Sequence, residues 1–67
     1  MKPVSGKRMC KVLEARGWSL DRSRGSHHIY TRPGSPDVPV PVHGNRDLKR
    51  GTQKNIMRQA GLTDADL

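Results

Sequence analysis

Five residues, Val38-Pro39-Val40-Pro41-Val42, narrow the architecture more than any other stretch of the chain. Alternation puts the three valines on one face of a strand and the two prolines on the other. Proline has no N–H to give a neighbouring strand, so this strand belongs at a sheet edge, where it also discourages pairing with another chain. The 67 residues leave room for one domain, residues 1–67. A chain of that size buries only about 60% of its unfolded surface. With 31% hydrophobic residues, one Trp, one Tyr and no Phe, two packed sheets would lack filling. One sheet covered by one or two short helices is what these residues support.

The rest of the chain supplies those elements. Ser5 reads as an N-cap, and Met9, Val12, Leu13 and Arg16 follow at the spacing of one helical face. The predicted helix runs from Gly6 to Arg16 and ends at Gly17, which takes a left-handed cap without steric cost, with Trp18 folding back on Leu13. Lys7, Arg8 and Lys11 are left facing water. From Trp18 the period changes to two, with Trp18 and Leu20 sharing a face of the first strand. Arg22-Ser23-Arg24-Gly25-Ser26 is a basic connection into a second strand, His27 to Arg32, and Pro33-Gly34-Ser35-Pro36-Asp37 turns the chain into the Val/Pro strand. A second helix is predicted from Leu48 to Ala60, with Leu48, Thr52, Ile56, Met57 and Ala60 inside, Gly61 as its stop and Leu62 touching Met57. The tail from Thr63 has the cap for one more helical turn. The order helix, three antiparallel strands, helix is an α+β layout of the double-stranded-RNA-binding-domain type, both helices on one sheet face.

Thirteen Lys and Arg stand against six Asp and Glu, a net charge of +7. That excess points to a polyanion, and it predicts marginal stability that a negatively charged partner improves. No stretch approaches the roughly 20 apolar residues of a spanning helix, which favours nucleic acid over membrane. The Met1 end lacks the apolar run of a signal peptide, and the single Cys10 fits a reducing compartment, so a cytoplasmic location is expected. Three histidines and one cysteine invite a zinc site, but adjacent His27 and His28 diverge on a strand, and Cys10 has no CxxC partner. No metal and no cofactor are expected.

The motifs Ser5-Gly6-Lys7, Gly17-Trp18, Gly25-Ser26-His27-His28-Ile29-Tyr30, Pro41-Val42-His43, Leu48-Lys49-Arg50-Gly51-Thr52 and Ala60-Gly61-Leu62 together closely resemble the HicA toxins of bacterial and archaeal toxin–antitoxin pairs. The resemblance covers nearly the whole chain. It implies the double-stranded-RNA-binding-like fold, ribosome-independent cleavage of mRNA, and inhibition by an acidic HicB-type antitoxin, with scope for a higher-order toxin–antitoxin complex. It also implies a catalytic histidine directly after the Gly-Ser pair, which is His27 in this sequence.

Those residues suit the chemistry. RNA cleavage without a metal needs a proton acceptor, a proton donor and positive charge around phosphorus. Histidine can take either proton role near neutral pH, and Arg and Lys stabilise the transition state. Arg22, Arg24, Gly25, Ser26, Lys49 and Arg50 are the expected RNA contacts. A regular strand sends His28 to the face opposite His27, so neither it nor His43 is an assured second proton carrier. Alternation also puts His27 beside Ile29, which looks like a core residue. A bulge at Gly25-Ser26 would relieve that conflict. Two other readings stay open: a basic module that binds RNA without cutting it, and an inactive relic that only pairs with an antitoxin.

Overall fold

The computed structural model describes residues 1–67 as α1 (Gly6–Ala15), β1 (Ser19–Arg24), β2 (His27–Thr31), β3 (Val38–Pro41) and α2 (Arg50–Ala60), closed by a 3₁₀ turn at Asp64–Asp66. The strands form one antiparallel sheet in the order β1-β2-β3, so the Val/Pro strand is an edge. Val38 and Val40 are buried and Pro39 is exposed. Tyr30, Val38 and Val40 meet Met9, Val12 and Leu13 of α1 and Ile56, Met57 and Ala60 of α2 in one core cluster. Both helices therefore cover the same sheet face, which is the predicted α+β layout.

Local chemistry sets the helix ends. The Ser5 Oγ accepts the Arg8 N–H at 3.0 Å and starts α1. At its other end Gly17 donates to the Glu14 carbonyl (3.2 Å) and Trp18 to the Leu13 carbonyl (3.0 Å), which turns Trp18 back into the core. The same closure ends α2, where Leu62 donates to the Met57 carbonyl at 2.8 Å. Arg16 lies outside the buried stripe in which its spacing placed it. It caps α1 and pairs with Asp66 at 3.3 Å.

The start of α2 differs from the sequence expectation for a tertiary reason. Leu48 gives its N–H to the Val4 carbonyl at 2.9 Å, and Ser5 bridges Asp47 in antiparallel fashion, so Leu48 is held extended and the helix begins at Arg50. Gln53 is the buried residue that an apolar pattern cannot show. It is 1% exposed; its Oε1 accepts the Val4 N–H at 3.1 Å and its Nε2 donates to the Lys2 carbonyl at 2.6 Å. Its amide thus stands in for a strand partner along the N-terminal segment. That segment delivers Gly6 so close to β3 that any Cβ there would run into the Pro41 carbonyl.

Gln53→Leu keeps the volume but leaves the buried Val4 N–H unpartnered. Urea unfolding is expected to show a loss of about 1–3 kcal/mol, the cost of an unmet buried donor.

Candidate active site: a histidine pair split by the central strand

The turn at Gly25-Ser26 is a two-residue hairpin closed by the Arg24–His27 pair. Gly25 has φ 59° and no non-glycine residue has positive φ, which is the pattern of a type II′ turn. Beyond it β2 is regular. His28 pairs with Ser23 and Val40, Ile29 with Arg22 and Pro39, and Tyr30 with Leu20 and Val38. The irregularity lies in β1, where the register shifts between Leu20 and Arg22 and leaves Asp21 as the extra residue. The sheet therefore has no bulge in the position that would separate His27 from Ile29.

Both stay on the outer face, away from the helices. Ile29 is buried as expected, at 8% exposure, but it lies outside the cluster under the helices, in register between Arg22 and Pro39. His27 is exposed on that face. His28 projects the other way, to the side of Tyr30 and Val40, and is half-buried where the helical cover ends.

On that side His28 opens into a groove of about 300 Å³ between α1 and the sheet. Lys7, Cys10, Lys11 and Glu14 form the α1 wall, and Leu20, His28, Tyr30 and Val42 complete it. The four α1 residues fall at i, i+3, i+4 and i+7, one stripe along the helix. Cys10 is buried and the two lysines are exposed. Leu20 is 48% exposed, a large apolar side chain presented at the groove. The Tyr30 hydroxyl donates to the Glu14 Oε2 at 2.6 Å. Burial pushes the Tyr30 phenol far above its ordinary range, and its hydrogen bond to Glu14 and the nearby Cys10 push the same way. Burial also raises the Cys10 thiol, against a smaller opposing effect of the neighbouring Tyr30 hydroxyl. Neither group ionises near neutral pH.

The expected contact residues do not all converge. Arg24, Gly25, Ser26 and His27 remain together at the β1–β2 turn. Arg22 is engaged by Asp21 and by Asp37 at 3.7 Å, which neutralises part of its charge locally. Lys49 lines a separate hollow of about 270 Å³ with Pro41, His43, Arg46 and Thr52. Pro41 is the register partner of His27, so this hollow borders the outer face. Arg50 turns instead toward Met1, Pro3 and Gln53. Sequence reasoning missed Lys7 and Lys11 as companions of a histidine. Their spacing was visible, but what they face depends on how α1 packs. No group of three or more His, Cys, Asp and Glu side chains is placed to hold a metal ion, and no helix is long and apolar enough to cross a membrane.

A basic α+β domain with a half-buried histidine in a groove shared with two lysines has the charge that suits a polyanion. A family model described as the HicA toxin of bacterial toxin-antitoxin systems matches residues 6–62. A protein of Pseudomonas fluorescens (strain Pf0-1) named "Probable mRNA interferase HicA" is 35% identical over 52 residues, covering 78% of this chain and 85% of its own. The chain belongs to the HicA toxin family.

The raised Tyr30 phenol has a consequence for stability. An unfolded tyrosine ionises near pH 10, whereas the folded protein keeps its proton to higher pH, so this contribution is full below about pH 10 and is lost as pH rises beyond it. Denaturant unfolding of Tyr30→Phe at pH 8 to 11 is expected to show a shallower alkaline decline than the parent.

Proposed function

We propose that the protein is a toxin of a type II toxin–antitoxin pair, a ribosome-independent endoribonuclease that cuts mRNA in the cytoplasm without a metal, and that His28 moves a proton in the reaction. The observation that carries the choice of residue is the divergence of the histidine pair. His28 opens into the groove with Lys7 and Lys11 from α1, while His27 stands exposed on the outer face. A proton carrier needs a bound phosphodiester held within hydrogen-bond reach, and a groove with two lysines along one wall offers that to His28. Lys7 and Lys11 neutralise the phosphate, and the exposed Leu20 offers apolar contact to a base.

The Gly-Ser-His resemblance favours His27 as a second reading, with Arg24 and the Gly25-Ser26 turn as its RNA contacts and Lys49 beyond Pro41. The basic surface also explains a partner. An acidic HicB-type antitoxin is drawn to the same charge, and it inhibits by covering the groove, alone or within a larger complex.

Purified His27→Ala and His28→Ala, incubated with an mRNA with and without a chelator, test these statements together. His28→Ala is expected to cleave at least about 100-fold more slowly, the usual worth of a positioned acid or base, with His27→Ala near the parent and the chelator without effect. The reverse pattern assigns the reaction to His27, and intact RNA with the parent protein removes the nuclease reading altogether. Each phosphate contact to a single strand contributes about 0.7 to the slope of log affinity against log salt. Replacing both Lys7 and Lys11 with Ala is therefore expected to lower that slope by about 1.4 in a binding titration with uncleavable 2′-O-methyl RNA.

A further inference from the structure

Metal-free cleavage at a ribose needs two proton carriers, and His28 supplies one. The groove holds five other titratable side chains. Lys7 and Lys11 serve as fixed positive charge, and Cys10 and Tyr30 keep their protons. That leaves the carboxylate of Glu14.

Its surroundings are unusual for this chain. With 13 Lys and Arg against 6 Asp and Glu, a carboxylate here has cations to spare. Asp21, Asp37, Asp64 and Asp66 all form ion pairs, whereas Glu14, like Asp47, forms none, although it shares its helix with Lys7, Arg8 and Lys11. Its partner is the Tyr30 hydroxyl, which donates to Oε2 at 2.6 Å. A phenol that keeps its proton near neutral pH holds the carboxylate in the groove without cancelling its charge, and the acceptor sites of Oε1 stay free. Tyr30 is itself fixed, being 2% exposed and paired in register with Leu20 and Val38. An exposed glutamate that would otherwise sample many rotamers is thus restrained from the central strand, two residues from His28.

We infer that Glu14 is the second catalytic residue, taking the 2′-hydroxyl proton of the bound RNA while His28, across the same groove, protonates the leaving 5′-oxygen. This rests on the ribonuclease reading with His28 as its acid. The 2′-oxygen bonds to phosphorus as its proton passes to Glu14, the bond from phosphorus to the 5′-oxygen breaks, and the imidazolium proton of His28 goes to that oxygen. The products are a 2′,3′-cyclic phosphate and a 5′-hydroxyl end. Glu14 is left protonated and His28 neutral, and exchange with water restores both. Lys7 and Lys11, on the same helical stripe, face the charge that develops on the phosphoryl oxygens. Tyr30 is a positioning residue.

Two carriers with opposite requirements give a bell-shaped dependence of kcat/KM on pH. The acidic limb belongs to Glu14, which must be deprotonated, and the alkaline limb to His28, which must be protonated. Glu14→Gln keeps an oxygen for the Tyr30 hydroxyl, so fold and affinity for 2′-O-methyl RNA are expected to match the parent. Its cleavage rate is expected to fall about 100-fold or more, with the acidic limb gone. Glu14→Asp retains a carboxylate, so it is expected to cut slowly and keep an acidic limb, and it carries the test should the glutamine variant not fold. Parent-like rate and an unchanged acidic limb in Glu14→Gln overturn the role of Glu14 while leaving the nuclease standing, as does an acidic limb missing from Glu14→Asp. A parent protein that leaves RNA intact, or a His28→Ala that cuts like it, overturns the ribonuclease reading and the inference with it.

Discussion

Alternation along β2 is the constraint on which the rest of the molecule depends. It is the central strand, and each of its residues must point to one face or the other. Tyr30 points under the helices and becomes the largest fully buried side chain of the core. His28, two residues earlier on the same face, falls where the cover thins and is half-buried. His27 and Ile29 take the outer face with Arg22, Pro39 and Pro41. Because β2 carries no bulge, this partition follows from its register. A slip of one residue would exchange the two histidines and expel Tyr30, so the burial of Tyr30 also determines which histidine reaches the groove.

The groove needs α1 as much as it needs β2, and α1 is held at both ends. At its start the approach of Gly6 to the Pro41 carbonyl sets the helix against β3, and Gln53 ties the preceding segment to α2. At its end the Gly17-Trp18 closure buries the indole, with the Arg32 guanidinium 4.6 Å from the ring centroid. Held in this way, the helix has only one stripe that can face both the sheet margin and solvent. That stripe is Lys7, Cys10, Lys11 and Glu14. A core this thin spends few residues on each task, and Tyr30 serves as both packing and anchor.

Much of the fold was legible in the sequence because its signals are local. Ser5, Gly17 and Gly61 act within a turn of where they stand, and the Val/Pro alternation could only be an edge. What stayed hidden depends on contacts between distant residues. Gln53 is polar by composition and buried by tertiary hydrogen bonding. Leu48 reads as the first turn of α2 but is held extended by Val4. The bulge at Asp21 has no marker in a run of small and charged residues, whereas Gly25-Ser26, which looks like a bulge site, is a plain hairpin turn. The histidines show the limit most clearly. Their divergence was readable from the period of two, but which of them meets a helix was not, since that requires knowing which face α1 covers. Once α1 is placed, Lys7 and Lys11 pass from solvated charge to neighbours of a histidine.

Whether the groove between α1 and β2 receives the RNA is decided by nuclear magnetic resonance of the protein with a short 2′-O-methyl oligonucleotide that binds but cannot be cut. Large shifts of the His28 ring and of the Lys7, Lys11 and Glu14 signals are expected, with the His27 ring and Arg24 little changed. Shifts concentrated on His27, Arg24 and the outer face, with the α1 stripe unmoved, would contradict the groove as the RNA site.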